Sequence, residues 1–301
     1  MNILITGGSG LIGRALIHKL APSHQVTLLT RDVKRAQSLF QSRPIKCVNN
    51  LKDVDINTID AVINLAGESI GDKRWSQPQK DKICHSRWQI TRDLNQLIDN
   101  AHRPPDVMIS GSAIGYYGRQ NSQQIDEGYS KFNAEFTHDV CQEWERLAFE
   151  NLKHDMRVCV LRTGIVLSAK GGALPKMALP FKLGVGAIIG DGQQYMSWIH
   201  IDDMARLIIE LLDSKLSGVV HATAPGAVTN QQFSHVLAKT LHRPCWFKLP
   251  TKLMTLLLGE QADLVIHGQR VLPQKLLNHG FRFIYPEING ALEDIYSQAT
   301  P

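Results

Sequence analysis

The junction that most constrains this chain is an apolar run, Ile3-Leu4-Ile5, leading straight into Thr6-Gly7-Gly8-Ser9-Gly10-Leu11-Ile12-Gly13. Strand, glycine turn and helix start in that order form a cradle for a dinucleotide pyrophosphate. Gly7 suits a tight turn, and Gly10, with no Cβ, lets the backbone approach the phosphates. Gly13 lets the helix lie close on the strand. Near Gly10 the helix offers unpaired N–H groups and the positive end of its macrodipole to an anion. Both Gly8-x-Gly10-x-x-Gly13 and Gly7-x-x-Gly10-x-x-Gly13 can be read here, and Leu11, Ile12, Ala15, Leu16 and Leu20 carry an apolar helix onward. The residues expected to touch the ligand are Gly7, Ser9, Gly10, Leu11, Ile12 and Gly13.

The rest of the first half repeats the alternation. Strands are predicted over 2–6, 26–30, 45–48, 61–66, 107–110 and 158–163, with helices over 11–20, 33–40, 79–101 and 134–153. Ala61-Val62-Ile63 is apolar without interruption, as in a strand covered by helices on both faces. The expected fold is α/β, a Rossmann-type doubly wound parallel sheet with a smaller interleaved substrate-side domain. After Thr163 the glycines Gly171, Gly172, Gly184, Gly186, Gly190 and Gly192 mark a loop-rich change of texture, before a strand at 219–222 and a helix at 230–241. The domain division expected is 1–167 and 197–228 for the nucleotide-binding part, and 168–196 and 229–301 for the smaller part.

The chain's 301 residues allow one or two domains, and a net charge of +5, from 33 basic and 28 acidic residues, gives no reason to expect a nucleic-acid partner. Five scattered cysteines show no metal spacing, so reduced thiols, no metal and a cytoplasmic location are expected. The start reads as a folded strand, so no signal peptide is expected. The apolar stretch at 253–258 is far shorter than the roughly 20 residues of a membrane helix, and no membrane partner is expected.

The second predicted strand ends in Leu28-Leu29-Thr30-Arg31. At that position a carboxylate would take the adenine ribose hydroxyls and favour NAD, whereas a guanidinium forks onto a 2′-phosphate. Arg31 therefore points to NADP(H), with Asp32 beside it as the alternative ribose partner. Asn64-Leu65-Ala66-Gly67 ends the fourth strand, where small residues let the backbone run past a ligand.

These motifs, with Ser197-Trp198-Ile199-His200-Ile201-Asp202-Asp203, resemble the extended short-chain dehydrogenase/reductase superfamily. Gly67-Glu68-Ser69, Arg74-Trp75, Ser86-Arg87, Gly115-Tyr116-Tyr117-Gly118 and Trp144-Glu145 narrow the resemblance to its atypical "epimerase family" branch. The tail, from Leu258-Gly259-Glu260 through Gly268-Gln269-Arg270-Val271-Leu272-Pro273 to Gly280-Phe281, resembles that branch's C-terminal domain of unknown function. The resemblance implies NADP contacts from Thr30, Arg31, Leu65 and Ala66, from Lys82 and Arg87, and from Val166 past the sixth strand, and the strand-end reading adds Gly67.

Typical members of the superfamily use Tyr-x-x-x-Lys, in which the lysine lowers the phenol pKa. None of the six tyrosines here has lysine four residues on. Counting back from Trp144-Glu145 puts Thr137 and Cys141 at the two positions, and neither fills the usual role unaided. Ser110-Gly111-Ser112-Ala113 follows the fifth strand. Ser112 matches the serine that bonds the reacting oxygen, and Ser110 is expected at the cofactor. Tyr116 or Tyr117 is the candidate replacement proton donor. His200 with Asp202 and Asp203 makes a poor metal site, and an N-cap aspartate is expected there. The leading expectation is an NADP(H)-dependent oxidoreductase or epimerase-like enzyme, monomer or homodimer, acting on an unidentified small molecule. The rival is a non-catalytic NADP(H) sensor or scaffold, such as a cell-division-linked interaction protein.

Overall fold

The computed structural model describes residues 1–20, 22, 24–150 and 155–297. The apolar segments become seven parallel strands: β1 (Asn2–Thr6), β2 (Gln25–Leu29), β3 (Ile45–Val48), β4 (Ala61–Asn64), β5 (Val107–Ala113), β6 (Arg157–Thr163) and β7 (Gly218–Ala222). Their order in the sheet is β3-β2-β1-β4-β5-β6-β7. β1 pairs with β2 on one side and β4 on the other, so the winding reverses there. A crevice therefore opens at the carboxyl end of β1.

Alternation along the strands divides the core. Ile3 and Ile5 of β1 pack with Leu16 and Ile17 of α1 (Leu11–Leu20), Ala36 of α2 (Val33–Leu39) and Leu207, Ile208 and Leu211 further on. Leu4, Val62 and Met108 point the other way, onto Leu94 and Ile98 of α3 (Gln77–Asp99) and Ala148 of α4 (Phe136–Phe149). Both faces are thus dry, which is why these strands carry no polar alternation.

A second core forms between α5 (Leu174–Lys182) and α7 (Asn230–Thr240), whereas α6 (Ile201–Asp213) packs on the sheet. Trp198, Phe181 and Phe233 meet Leu292 and Ile295 of the terminal helix there. After α7 come α8 (Thr251–Leu258), α9 (Asp263–Ile266), α10 (Gln274–His279) and α11 (Ile288–Ser297). The tail does not stay with this second core. Leu276 of α10 and Phe281 enter the sheet's own core, and Arg270-Val271 pairs in parallel with Gln124-Ile125.

Three elements depart from expectation. β5 runs on to Ala113, which puts Ser110 inside the strand and Ser112 near its end. α4 ends at Phe149, and the expected continuation over 151–153 lies outside the described residues, as does 298–301 of the smaller domain. The cap of α6 is His200 rather than an aspartate, its Nδ1 accepting the Asp202 N–H at 3.1 Å. Asp203 is instead fully buried and receives the Ile284 and Tyr285 N–H groups, each at 2.9 Å, so it clamps the tail.

Candidate functional site

At the crevice, Gly7 adopts φ +70°, and a Cβ there would fall on the Leu65 carbonyl group. A Cβ on Gly13 would run into the Gly7-Gly8 backbone, so the helix starts hard against its own turn. The turn closes with Gly10 N–H donating to Gly7 O, and α1 proper with Arg14 N–H donating to Gly10 O, each at 3.0 Å. Among the described residues no acceptor meets the N–H groups of Leu11, Ile12 or Gly13. Three backbone donors at a helix N-terminus make a cradle for a pyrophosphate.

The far wall is fixed by polar groups that sequence reasoning passed over. Thr6 Oγ1 donates to Asn64 Oδ1 at 2.7 Å and accepts from Ala66 N–H at 3.3 Å. Asn64 Nδ2 donates to Thr91 Oγ1 at 3.0 Å, and Thr91 Oγ1 donates to the Arg87 carbonyl at 2.7 Å. This chain ties the Leu65-Ala66-Gly67 turn to β1 and α3. A threonine ending one strand beside an asparagine ending its neighbour was the legible signal.

Arg31 lies exposed just past β2, with no partner among the described residues. Thr30 Oγ1 accepts from Asp32 N–H, and Asp32 Oδ1 caps α2 by accepting Arg35 N–H at 3.0 Å. One Asp32 oxygen is thus engaged in the cap, and the Arg31 guanidinium has no partner among the described residues. Lys82 pairs with Glu68 at 3.3 Å. Arg87 donates to the Ile83 carbonyl, lies 5.1 Å from the Trp144 ring, and presses its guanidinium against Gly67. Burial lowers its pKa. Val166 sits half-buried beside the sheet core, and Ser9 is exposed on the turn. Ser110 has no exposed surface and its hydroxyl reaches only the Gly111 carbonyl, because β5 outruns the strand expected from sequence.

The reaction-side candidates gather around a buried ion pair. Arg162 of β6 grips Glu145 of α4 with two parallel bonds, Nε to Oε1 at 2.9 Å and Nη2 to Oε2 at 2.7 Å. Ser112 Oγ donates to the same Glu145 Oε1 at 2.6 Å. Arg162 Nη1 also donates to Tyr117 Oη at 2.7 Å, and Tyr117 Oη lies 2.7 Å from His221 Nε2. The proton order follows from the outer end. His221 Nδ1 faces the Leu272 carbonyl at 2.8 Å, an acceptor only, so Nδ1 carries the hydrogen. Burial drops the His221 pKa to about 4, leaving Nε2 bare to accept the Tyr117 proton.

Tyr117 is therefore held within this network rather than aimed at a substrate. It is 0% exposed, and burial pushes its phenol up to about 12. That corrects the expectation of a proton donated into the cleft, which the paired tyrosines left open between them. Tyr116 is half-buried, with the Arg162 guanidinium 3.5 Å from its ring centroid and no hydroxyl partner among the described residues. Cys141 is buried beside Ser112, and burial lifts its thiol to about 11, so it stays protonated. Glu145 and Arg162 were missed as a pair. Their signal was a lone cation within the apolar run Val158-Cys159-Val160-Leu161, which demands a buried partner. No group of metal-binding side chains occurs among the described residues.

A doubly wound sheet with an anion cradle at its switch point defines a Rossmann-type dinucleotide-binding fold, and the chain belongs to the NAD dependent epimerase/dehydratase family, whose model matches residues 3–222. A domain of unknown function, DUF1731, matches residues 249–295. The chain is 39% identical to an epimerase family protein of Staphylococcus saprophyticus, over 98% of this chain and 99% of that one. It is 37% identical to the chloroplastic homolog of epimerase family protein SDR39U1 in Arabidopsis thaliana, over 98% of this chain and 86% of that one. Among solved structures, the human epimerase family protein SDR39U1 with NADPH matches at a TM-score of 0.90 and 31% identity, covering 99% of both chains. A nucleoside-diphosphate sugar epimerase from Corynebacterium glutamicum matches at 0.77 and 28% identity, over 98% of this chain and 58% of that one.

Proposed function

We propose that this chain is an NADP(H)-binding oxidoreductase or epimerase-like enzyme that exchanges hydride at a carbonyl/alcohol centre. The observation that carries the reading is the pairing of three unpartnered N–H groups at α1 with the free guanidinium of Arg31. The first would hold the pyrophosphate and the second a 2′-phosphate. The NADPH in the human SDR39U1 structure supports the same choice. Bound NADP(H) supplies the hydride.

The chain's own part is orientation and proton placement. Glu145 takes the Ser112 proton, so Ser112 Oγ turns lone pairs outward and accepts a hydrogen bond from a substrate hydroxyl. Glu145 and Arg162 act through Ser112 as positioning residues. Tyr116, whose hydroxyl has no partner among the described residues, donates its proton to the substrate oxygen as that oxygen gains charge. The Arg162 guanidinium over its ring favours the phenolate left behind, which recovers a proton from solvent. The hydrogen of the alcohol formed then points to Ser112 Oγ. The substrate lies between the carboxyl edge of the sheet and the smaller part of the chain, in a cytoplasmic monomer or homodimer.

One observation favours a second reading, a non-catalytic NADP(H) sensor or scaffold. The fixed polar groups on the reaction side mostly bond to one another, and no tyrosine in the sequence has lysine four residues on. Thermal shift with NADPH and NADH separates pocket from chemistry. Stabilisation by neither ends both readings. Stabilisation by NADPH with no NADPH oxidation across a broad carbonyl panel leaves the sensor.

A further inference from the structure

The stretch 246–257 is unusual for its exposure. Trp246 is 82% exposed and Leu256 74%, Phe247, Leu253 and Leu257 are also exposed, and α8 contributes no buried residue at all. The parallel pairing of Phe247 with Ala187 brings exposed Leu183 and Val185 to the entry end of the same short strand pair. Isolated exposed leucines are ordinary, but this many within one segment mark an interaction surface.

Along the sequence the charge around it is one-sided; in space Asp191 lines the same cavity as Lys248 and Lys252, while Glu260 and Asp263, just past α8, are tied to Lys80 and Arg119. From Ser214 to Gly259 the sequence contains no aspartate or glutamate, while it contains Lys215, Lys239, Arg243, Lys248 and Lys252. Arg243, Lys248 and Lys252 are exposed and have no carboxylate partner among the described residues. A second copy of the chain is a poor occupant, because a two-fold contact would set these cations against themselves. An acidic protein would need a pocket shaped to the projecting helix. A fluid anionic bilayer needs none: leucines and the indole enter the acyl boundary while flanking lysines reach the headgroups.

We propose that 246–257 docks this protein on an anionic lipid surface. The docking is peripheral, since no helix among the described residues is long and apolar enough to cross a membrane. It departs from the sequence expectation of no membrane partner, which rested on spanning length alone. Lys248, Pro250, Thr251 and Lys252 also line a cavity of about 1040 Å³, with Tyr195 and His267 among its other walls. Docking therefore sets that cavity beside the bilayer. The inference does not depend on the proposed chemistry.

Flotation of the full chain with phosphatidylcholine vesicles, with or without an equal part of phosphatidylglycerol, tests it. Binding is expected only with phosphatidylglycerol. The Lys248→Gln/Lys252→Gln variant should lose binding by on the order of twentyfold, at about fivefold per cation. Trp246→Ser/Leu256→Ser should lose it too, with far-UV circular dichroism and melting unchanged. No binding to either vesicle overturns the proposal, as does binding that both variants retain. A wild-type dimer dispersed by the apolar variant, without vesicle binding, assigns the surface to a second copy instead. Capture on polyglutamate that ignores the apolar variant, again without vesicle binding, assigns it to an acidic macromolecule.

Discussion

The hydroxyl of Ser112 donates to Glu145 at 2.6 Å, and Arg162 holds that same carboxylate from the other side. A buried charge pair of this kind is costly to break and cheap to replace as a unit. Arg162→Met alone strands the carboxylate and should cost about 3–5 kcal/mol, read from the urea midpoint. Arg162→Met with Glu145→Leu should recover much of that loss. Strictly additive losses in the double variant would show that the two do not act as a pair.

The two adjacent tyrosines should separate cleanly. Tyr117→Phe leaves Arg162 Nη1 and His221 Nε2 without their shared partner, at a cost of about 1–3 kcal/mol, while NADPH affinity holds. Tyr116→Phe removes a hydroxyl with no partner among the described residues, so stability should stay within about 0.5 kcal/mol while turnover falls. If Tyr116→Phe turns over as fast as the parent, its part in proton exchange is wrong.

Coenzyme choice should move with one residue. Arg31→Asp should weaken NADPH about tenfold to a hundredfold, the worth of one charge-assisted hydrogen bond of about 1.5–3 kcal/mol, and leave NADH nearly unchanged. Titration calorimetry with both coenzymes reads this directly, and equal losses would refute the phosphate contact.

Acid should loosen the network from the histidine end. The His221 pKa falls on folding from 6.5 to about 4, chiefly through burial. Between those values the unfolded chain binds the proton and the folded chain does not, so stability falls as pH drops from 6.5 toward 4 and is complete above that window. The span corresponds to about 3 kcal/mol. His18, His24 and His200 are shifted the same way, so the contribution is read as the difference between wild type and His221→Gln across this window. Identical melting slopes for the two proteins would mean His221 carries no such shift.

The glycine turn and the apolar strands were readable in sequence because each follows from a local rule: a φ requirement for the turn, a period for the strands. The α/β class followed with them. The expected end of β5 falls three residues short because strand ends are fixed by pairing with a neighbour, here Ser110 with Val160 and Ala113 with Thr163, which no local pattern reveals. Tyr117 went astray for a related reason. Its partners lie on β6, on β7 and in the tail, far along the chain, and only the closed sheet brings Arg162, His221 and the Leu272 carbonyl to one hydroxyl. The aspartate cap of α6 gave way to His200 because Asp203 was already committed to the tail amides.

That commitment bears on how the protein is made. Asp203 lies in α6, yet the amides that satisfy it belong to Ile284 and Tyr285, and Leu276 and Phe281 fill gaps under the sheet. A nascent chain emerging from the ribosome can wind its first strands early, but Asp203, held within its own helix by Arg206 alone, lacks its amide partners and apolar gaps stay open until residues 276–285 have emerged. Chaperone dependence should therefore last until residues 276–285 have emerged, and stop codons shortly before residue 276 should yield aggregates rather than a trimmed, working nucleotide binder.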